Sequence, residues 1–186
     1  MDAVDAKMNG LTVPGDIRSR VFFGLLHLSL EHFGAIVVLG KKQLYASAAA
    51  LLRPQYEATV RAIYFSQCAS ESEVVAFTEG KDPITLKKMV DSLEKERVSK
   101  DGMFINFYQN TKQYMHGFTH GGFEQLGRRY TDSELKNSFR DNEVEAIVRS
   151  GQVLACLAAC CASATAGNNE LAVEILEKYG AYVRQP

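Results

Sequence analysis

Leu51-Leu52-Arg53-Pro54-Gln55-Tyr56-Glu57-Ala58-Thr59-Val60-Arg61 decides how the chain is read, because it combines helical periodicity, a proline and three spaced charges. Arg53, Glu57 and Arg61 recur every four residues, so on a helix they share one side. Tyr56, Val60 and Tyr64 flank that side, with Ala46, Ala49 and Ala50 a turn or two earlier. This pattern puts the charged row inward and leaves Gln55, Thr59 and Ser66 as the solvent stripe. Inward charges are costly unless paired, so the row marks either an ion-pair network or a lined site. Arg53 and Glu57 are expected to be mostly buried and in direct contact, with Arg61 or His120 in reach. Pro54 should bend the helix and free the Ala50 carbonyl for a buried donor such as an arginine or a water.

The rest of the chain repeats the helical period, and no stretch shows sustained alternation with β-branched enrichment. A first helix is expected from Asp16, its cap, to about Leu39, with an apolar arc of Val21, Leu25, Leu28, Ile36 and Leu39. The second runs from about Gln43 to Ala69. Ser70-Glu71-Ser72-Glu73 has capping-box character and starts a third that ends near Gly80. Asp82-Pro83 opens a charged fourth helix to about Val98. The fifth, Met103 to about Thr119, should bury Phe104, Phe107, Thr111, Tyr114 and Phe118 before Gly121-Gly122 stops it. Residues 123–140 read as short turns and loops. A long helix from about Asn142 to Ala166 and a last one ending near Tyr179 complete the chain. The fold class is therefore all-α: a single-domain bundle of four long helices with shorter ones attached, over residues 16–183, after a poorly ordered segment at 1–15. The second, fifth and penultimate helices are expected to surround a polar pocket.

With 186 residues the chain can bury one substantial core. Its 21 basic residues nearly cancel its 22 acidic ones, which gives no footprint for duplex DNA. Met1-Asp2-Ala3-Val4-Asp5 lacks the order of a signal peptide, and Phe33 to Leu39 is too short an apolar run to span a bilayer. Four cysteines, three of them at 156, 160 and 161, read as reduced thiols in a helix core. A cytoplasmic protein with no membrane association is expected. The small side chains from Leu154 to Ala166 permit close helix approach, and a homodimer through that face is expected.

His32 lies on the first helix's apolar arc and reads as a core histidine. His116 and His120 are four apart, the spacing by which two imidazoles ligate one metal. With His32 they would make a three-histidine site. The pair falls opposite Phe107 and Phe118, and no Glu-x-x-His motif occurs, so neither a metal nor any other cofactor is expected. Arg128-Arg129 reads as a solvated loop.

Three segments carry a resemblance: Leu28 to Leu39 with its Glu31-His32 step, Ala50 to Arg61 with Leu-Arg-Pro-x-x-Glu-x-x-x-Arg, and Phe118-Thr119-His120-Gly121-Gly122. Together they resemble an uncharacterised family of bacterial all-helical proteins over nearly the whole chain. The resemblance implies the fold and marks Glu31, His32, Arg53, Glu57, Arg61 and His120 as positions of interest. His116 departs from it, standing where asparagine is expected. A looser likeness joins the chain to HEPN-type helical domains, nucleases and nucleotide binders that often serve in defence. Their active motif sets an arginine four to six residues before a histidine, whereas here Lys112 precedes His116.

The reading favoured is a helical binding or interaction module, in stress or defence, whose pocket is formed by Arg53, Glu57, Arg61 and His120, with His32 as a further ligand-binding candidate. Arginine would hold an anionic group through its planar fork while Glu57 orients it. One alternative is a HEPN-like nuclease or nucleotide-binding protein, with RNA or a nucleotide as partner. There His120 would act as general acid or base, Arg53 or Arg61 would stabilise phosphate charge, and Glu57 would complete the candidate catalytic set. Another is a metal-dependent bundle enzyme on His32, His116 and His120.

Overall fold

A computed structural model describes residues 12–82, 84–98 and 102–179. The first eleven residues of the N-terminal segment, Pro83 and the Lys100-Asp101 break lie outside these. The described chain is helical, without a strand, and the all-α class holds. In order, the helices are α1 (Ile17–Lys41), α2 (Tyr45–Ala50), α3 (Leu52–Gln67), α4 (Glu71–Thr78), α5 (Leu86–Lys95), α6 (Met103–Thr119), α7 (Phe123–Leu126), α8 (Asp141–Thr165) and α9 (Asn169–Tyr179). The long ones are α1, α3, α6 and α8.

Caps written in the sequence set several of these ends. Asp16 accepts from the Ser19 amide at 2.9 Å to start α1. Ser70 and Glu73 satisfy each other's amides at the start of α4, a complete capping box. Thr85, rather than Asp82-Pro83, caps α5, which ends at Lys95 instead of near Val98. Gly121, at φ +68°, stops α6, and the Gly122 amide returns to the Gly117 carbonyl at 2.6 Å. A Cβ on Gly122 would come 2.9 Å from the Gly117 Cα, so the return is too tight for a side chain.

The expected single helix from Gln43 to Ala69 is two. The chain breaks at Leu51, and Pro54 is the third residue of α3. Proline is tolerated in a first turn, where an amide has no intrahelical partner anyway; ending α2 at Ala50 is the alternative to bending through the proline. The Ala50 carbonyl accepts from the Thr119 hydroxyl, at 3.5 Å, rather than from an arginine among the described residues.

The two faces of α3 are also exchanged relative to the expectation. Gln55 and Thr59 are fully buried, whereas Arg53, Glu57 and Arg61 are partly exposed. A polar seam between helices explains the exchange. The Thr59 hydroxyl lies 2.8 Å from that of Ser29 on α1, and Gln55 Nε2 donates to the Gly151 carbonyl of α8 at 2.8 Å. Gly151 lets these helices approach: a Cβ there would lie 2.9 Å from the Phe33 ring.

Around this seam α3 packs on α1, and α1 on α8. The buried stripe of α1 is Phe22, Leu26, Ser29, Phe33 and Ile36, one residue round from the expected arc. Of that arc only Ile36 is fully buried, and Leu28 is exposed. In α6, Phe104, Met115 and Phe118 are buried, while Phe107, Thr111 and Tyr114 are half-buried. Ala155, Ala158, Ala159 and Ala162 of α8 join the core with Phe22, Leu26 and Leu30 of α1 and Leu171 of α9, so the small-residue run packs within the chain. The helices α1 and α8 are long and apolar enough to cross a membrane by length and composition; here about half of each such stretch is buried among neighbouring helices.

Arg128 is an anchor rather than a solvated side chain. It pairs with Glu143 of α8 and sits over the rings of Phe118 and Phe139. That contact with Arg128 and the Arg140 amide lowers the Glu143 pKa against the opposing effect of burial.

Candidate functional site

The charged row of α3 meets a second row on α6. Tyr108, Lys112, His116 and His120 are also spaced four apart and share one side of that helix. Tyr56 of α3 stacks on Phe107, centroids 5.0 Å apart, and lies 6.3 Å from Tyr108 at 17°. Its hydroxyl donates to the Phe104 carbonyl at 3.0 Å, which fixes α6 against α3. Burial raises the Tyr56 pKa, so this phenol stays a donor.

Arg53 is the meeting point. Its Nε donates to Glu57 Oε1 at 2.8 Å, and its Nη1 lies 2.9 Å from His116 Nδ1 and 3.4 Å from His120 Nε2. A guanidinium only donates, so those two ring nitrogens accept, and the opposite nitrogens, His116 Nε2 and His120 Nδ1, carry the protons. The imidazoles lie 4.5 Å apart. The other Glu57 oxygen is 3.8 Å from Arg61, which pairs with Asp82 and lies 5.8 Å from the Phe77 ring centroid. Side-chain exposures of 31% for Arg53, 25% for Glu57 and 18% for Arg61 put the row at the surface rather than in the core, and of the three Arg53 alone lines the neighbouring cleft.

The cleft, about 380 Å³, lies between α3, α5 and α6 and is lined by Arg53, Leu86, Tyr108, Lys112, Gln113 and His116. The expected polar pocket thus has α5 as its third wall in place of α8. Where α3, α6 and α8 meet, a separate hollow of about 260 Å³ is lined mainly by Leu52, Phe107, Tyr114, Met115 and Ile147. Burial raises the Tyr114 pKa to about 12.

Of the residues singled out from sequence, the structure brings together Arg53, Glu57, Arg61, His116 and His120. His32 is elsewhere: half-buried on α1, with no hydrogen bond to this cluster among the described residues. Burial lowers its pKa, with neighbouring Glu31 acting the other way. Glu31 itself is exposed. Sequence reasoning undervalued His116, the nearer imidazole on Arg53, and missed Lys112 and Tyr108. The signal was present in the four-residue spacing from Tyr108 to His120, which matches that of Arg53 to Arg61.

The donors suit an anion. The Nη2 of Arg53 and the Nζ of Lys112 have no hydrogen-bond partner among the described residues, although Lys112 lies 5.9 Å from the Tyr108 ring centroid. His116 Nε2–H adds a third donor. The same arrangement suits a metal poorly, because both accepting imidazole nitrogens already face a cation. Among the described residues no three His, Cys, Asp or Glu side chains converge as a metal site.

An all-helical domain carrying one partly exposed Arg–Glu–Arg row against two histidines is the class of protein defined by this fold and cleft. The chain belongs to the family of unknown function DUF6988, whose model matches residues 26–185, a span that contains all three resemblance segments. No curated protein and no solved structure matches it.

Proposed function

We propose that this protein is a helical binding module whose cleft between α3, α5 and α6 takes an anionic group of phosphate size. The observation that carries the reading is Arg53. Glu57 and the two histidines engage three of its N–H donors and leave the Nη2 pair, and Arg53 lines the cleft together with Lys112 and His116. Partly exposed ion pairs contribute only about 0.2–1 kcal/mol each, so stability alone is a poor account of this arrangement. A mononucleotide fits the reading as a ligand, with its phosphate on Arg53 and Lys112 and its base near Tyr108.

Imidazole nitrogen NMR of the whole protein, titrated with inorganic phosphate and then with AMP, tests the reading. Saturable shifts at His116 and His120 with His27 and His32 unmoved are expected. Uniform small shifts at all four histidines would contradict it. Incubation with RNA is the parallel test of the nuclease alternative, to which no observation gives particular support. A cytoplasmic site of action, a role in stress or defence and homodimer formation belong to the same proposal.

A further inference from the structure

A further cavity, of about 320 Å³, lies between α1, α8 and α9, none of which walls the Arg53 cleft. The helices give it a direction. Gly40 of α1 lies near Val148 of α8, and Phe33 lies near Gly151, so α1 and α8 run antiparallel along it. Cys160 Sγ contacts the Ala172 carbonyl, and α9 returns along α8 toward the end where Lys41 lies. Leu30, Phe33 and Ile175, all buried, therefore form one apolar end. Lys41 and Tyr179 stand toward the other, while Gln152, next to Gly151, lies at the level of Phe33.

Lys41 is the one charged residue lining the cavity among the described residues, and it has no acidic partner among them. An apolar slot with a single cation and one phenol at one end matches an amphiphile with one negative charge. A dianion would want more than one cation, which this end does not provide. A cationic head would meet Lys41 as a like charge.

We propose that this cavity binds a medium-chain monocarboxylate, its tail between Leu30, Phe33 and Ile175 and its carboxylate on Lys41. Nothing in this proposal depends on the Arg53 cleft. Calorimetric titration of the whole protein with decanoate tests it, with decanol and decyltrimethylammonium as comparisons. Decanoate should bind one to one and more tightly than either comparison. The Lys41→Met variant should weaken decanoate about tenfold, since a charge-assisted hydrogen bond is lost, and leave decanol within about twofold. Methyl NMR of the unmodified protein should show the decanoate shifts at Leu30 and Ile175 and none at Leu86 in the Arg53 cleft. Absence of decanoate binding, equal affinity for decanoate and decyltrimethylammonium, an unchanged Lys41→Met variant or shifts centred elsewhere would overturn the proposal.

Discussion

Glu57 holds one oxygen 2.8 Å from Arg53 and the other 3.8 Å from Arg61, so two guanidiniums share a single carboxylate. Had the trio been sealed in the core, Glu57→Ala would strand two charges and destabilise by about 3–5 kcal/mol. At the exposure observed, water takes over much of that role, and a loss of about 1 kcal/mol is expected instead. Urea melts of Glu57→Ala and Glu57→Gln measure this, and a loss in the larger range would show that the row closes in solution. His32 makes a separate, pH-dependent contribution. Burial depresses its pKa, so the neutral ring is favoured in the folded state. The stability it contributes is present above its unfolded pKa of about 6.5 and is lost as pH falls from there through the folded value. Thermal melts should show the native protein losing stability across that window more steeply than His32→Gln. Parallel curves would assign the slope to groups other than His32; Glu73 and Glu143, whose pKa values are lowered, lose their contributions at more acid pH than this window.

At the scale of elements, α3 shows where reading from spacing succeeds and where it stops. The four-residue row and its mutual contacts were legible, because i to i+4 geometry follows from the helix alone. Its orientation was not. Gln55 and Thr59 read as a solvent face until their partners, Gly151 and Ser29, arrive from helices 96 and 30 residues away in sequence. Hydrophobic periodicity carries no information about such a polar seam. The seam leads to an asymmetric prediction. Gln55 Oε1 is buried without a hydrogen-bond partner among the described residues, so Gln55→Met, which removes both that acceptor and the donor to Gly151, should change stability by no more than about 1 kcal/mol. Gly151→Ala should destabilise by about 1–3 kcal/mol, because its Cβ would meet Phe33, Ile36 and Gln55 together. Chemical denaturation of both variants decides it, and the reverse order would show that the seam is not tightly packed. Pro54 illustrates another limit. A proline in a first turn and one inside a helix are hard to tell apart in sequence, and only the break at Leu51 distinguishes them.

The whole molecule offers its cavities and its surface for function. The alanine run of α8 is buried against α1 and α9, so a dimer would have to use other apolar surface. Phe123 and Leu135, 75% and 93% exposed, are the conspicuous choice. If the chain dimerises as proposed, Leu135→Lys with Phe123→Ser should give monomers by light scattering at concentrations where the native protein is dimeric. A double variant that remains dimeric would place the interface elsewhere. The cleft itself was partly legible: of Arg53, Glu57, Arg61 and His120, Arg53 lines it and the other three sit in the network behind Arg53, but α5 as a wall and Lys112 beside His116 depended on how α6 docks through Tyr56. The claim that the cleft holds an anion through Arg53 is tested most directly by calorimetric titration of AMP into the native protein and Arg53→Met. The account predicts saturable one-to-one binding that weakens at least about tenfold in the variant, whose helicity is unchanged. Equal affinity in the two proteins, or no binding by the native one at millimolar AMP and phosphate, would contradict it.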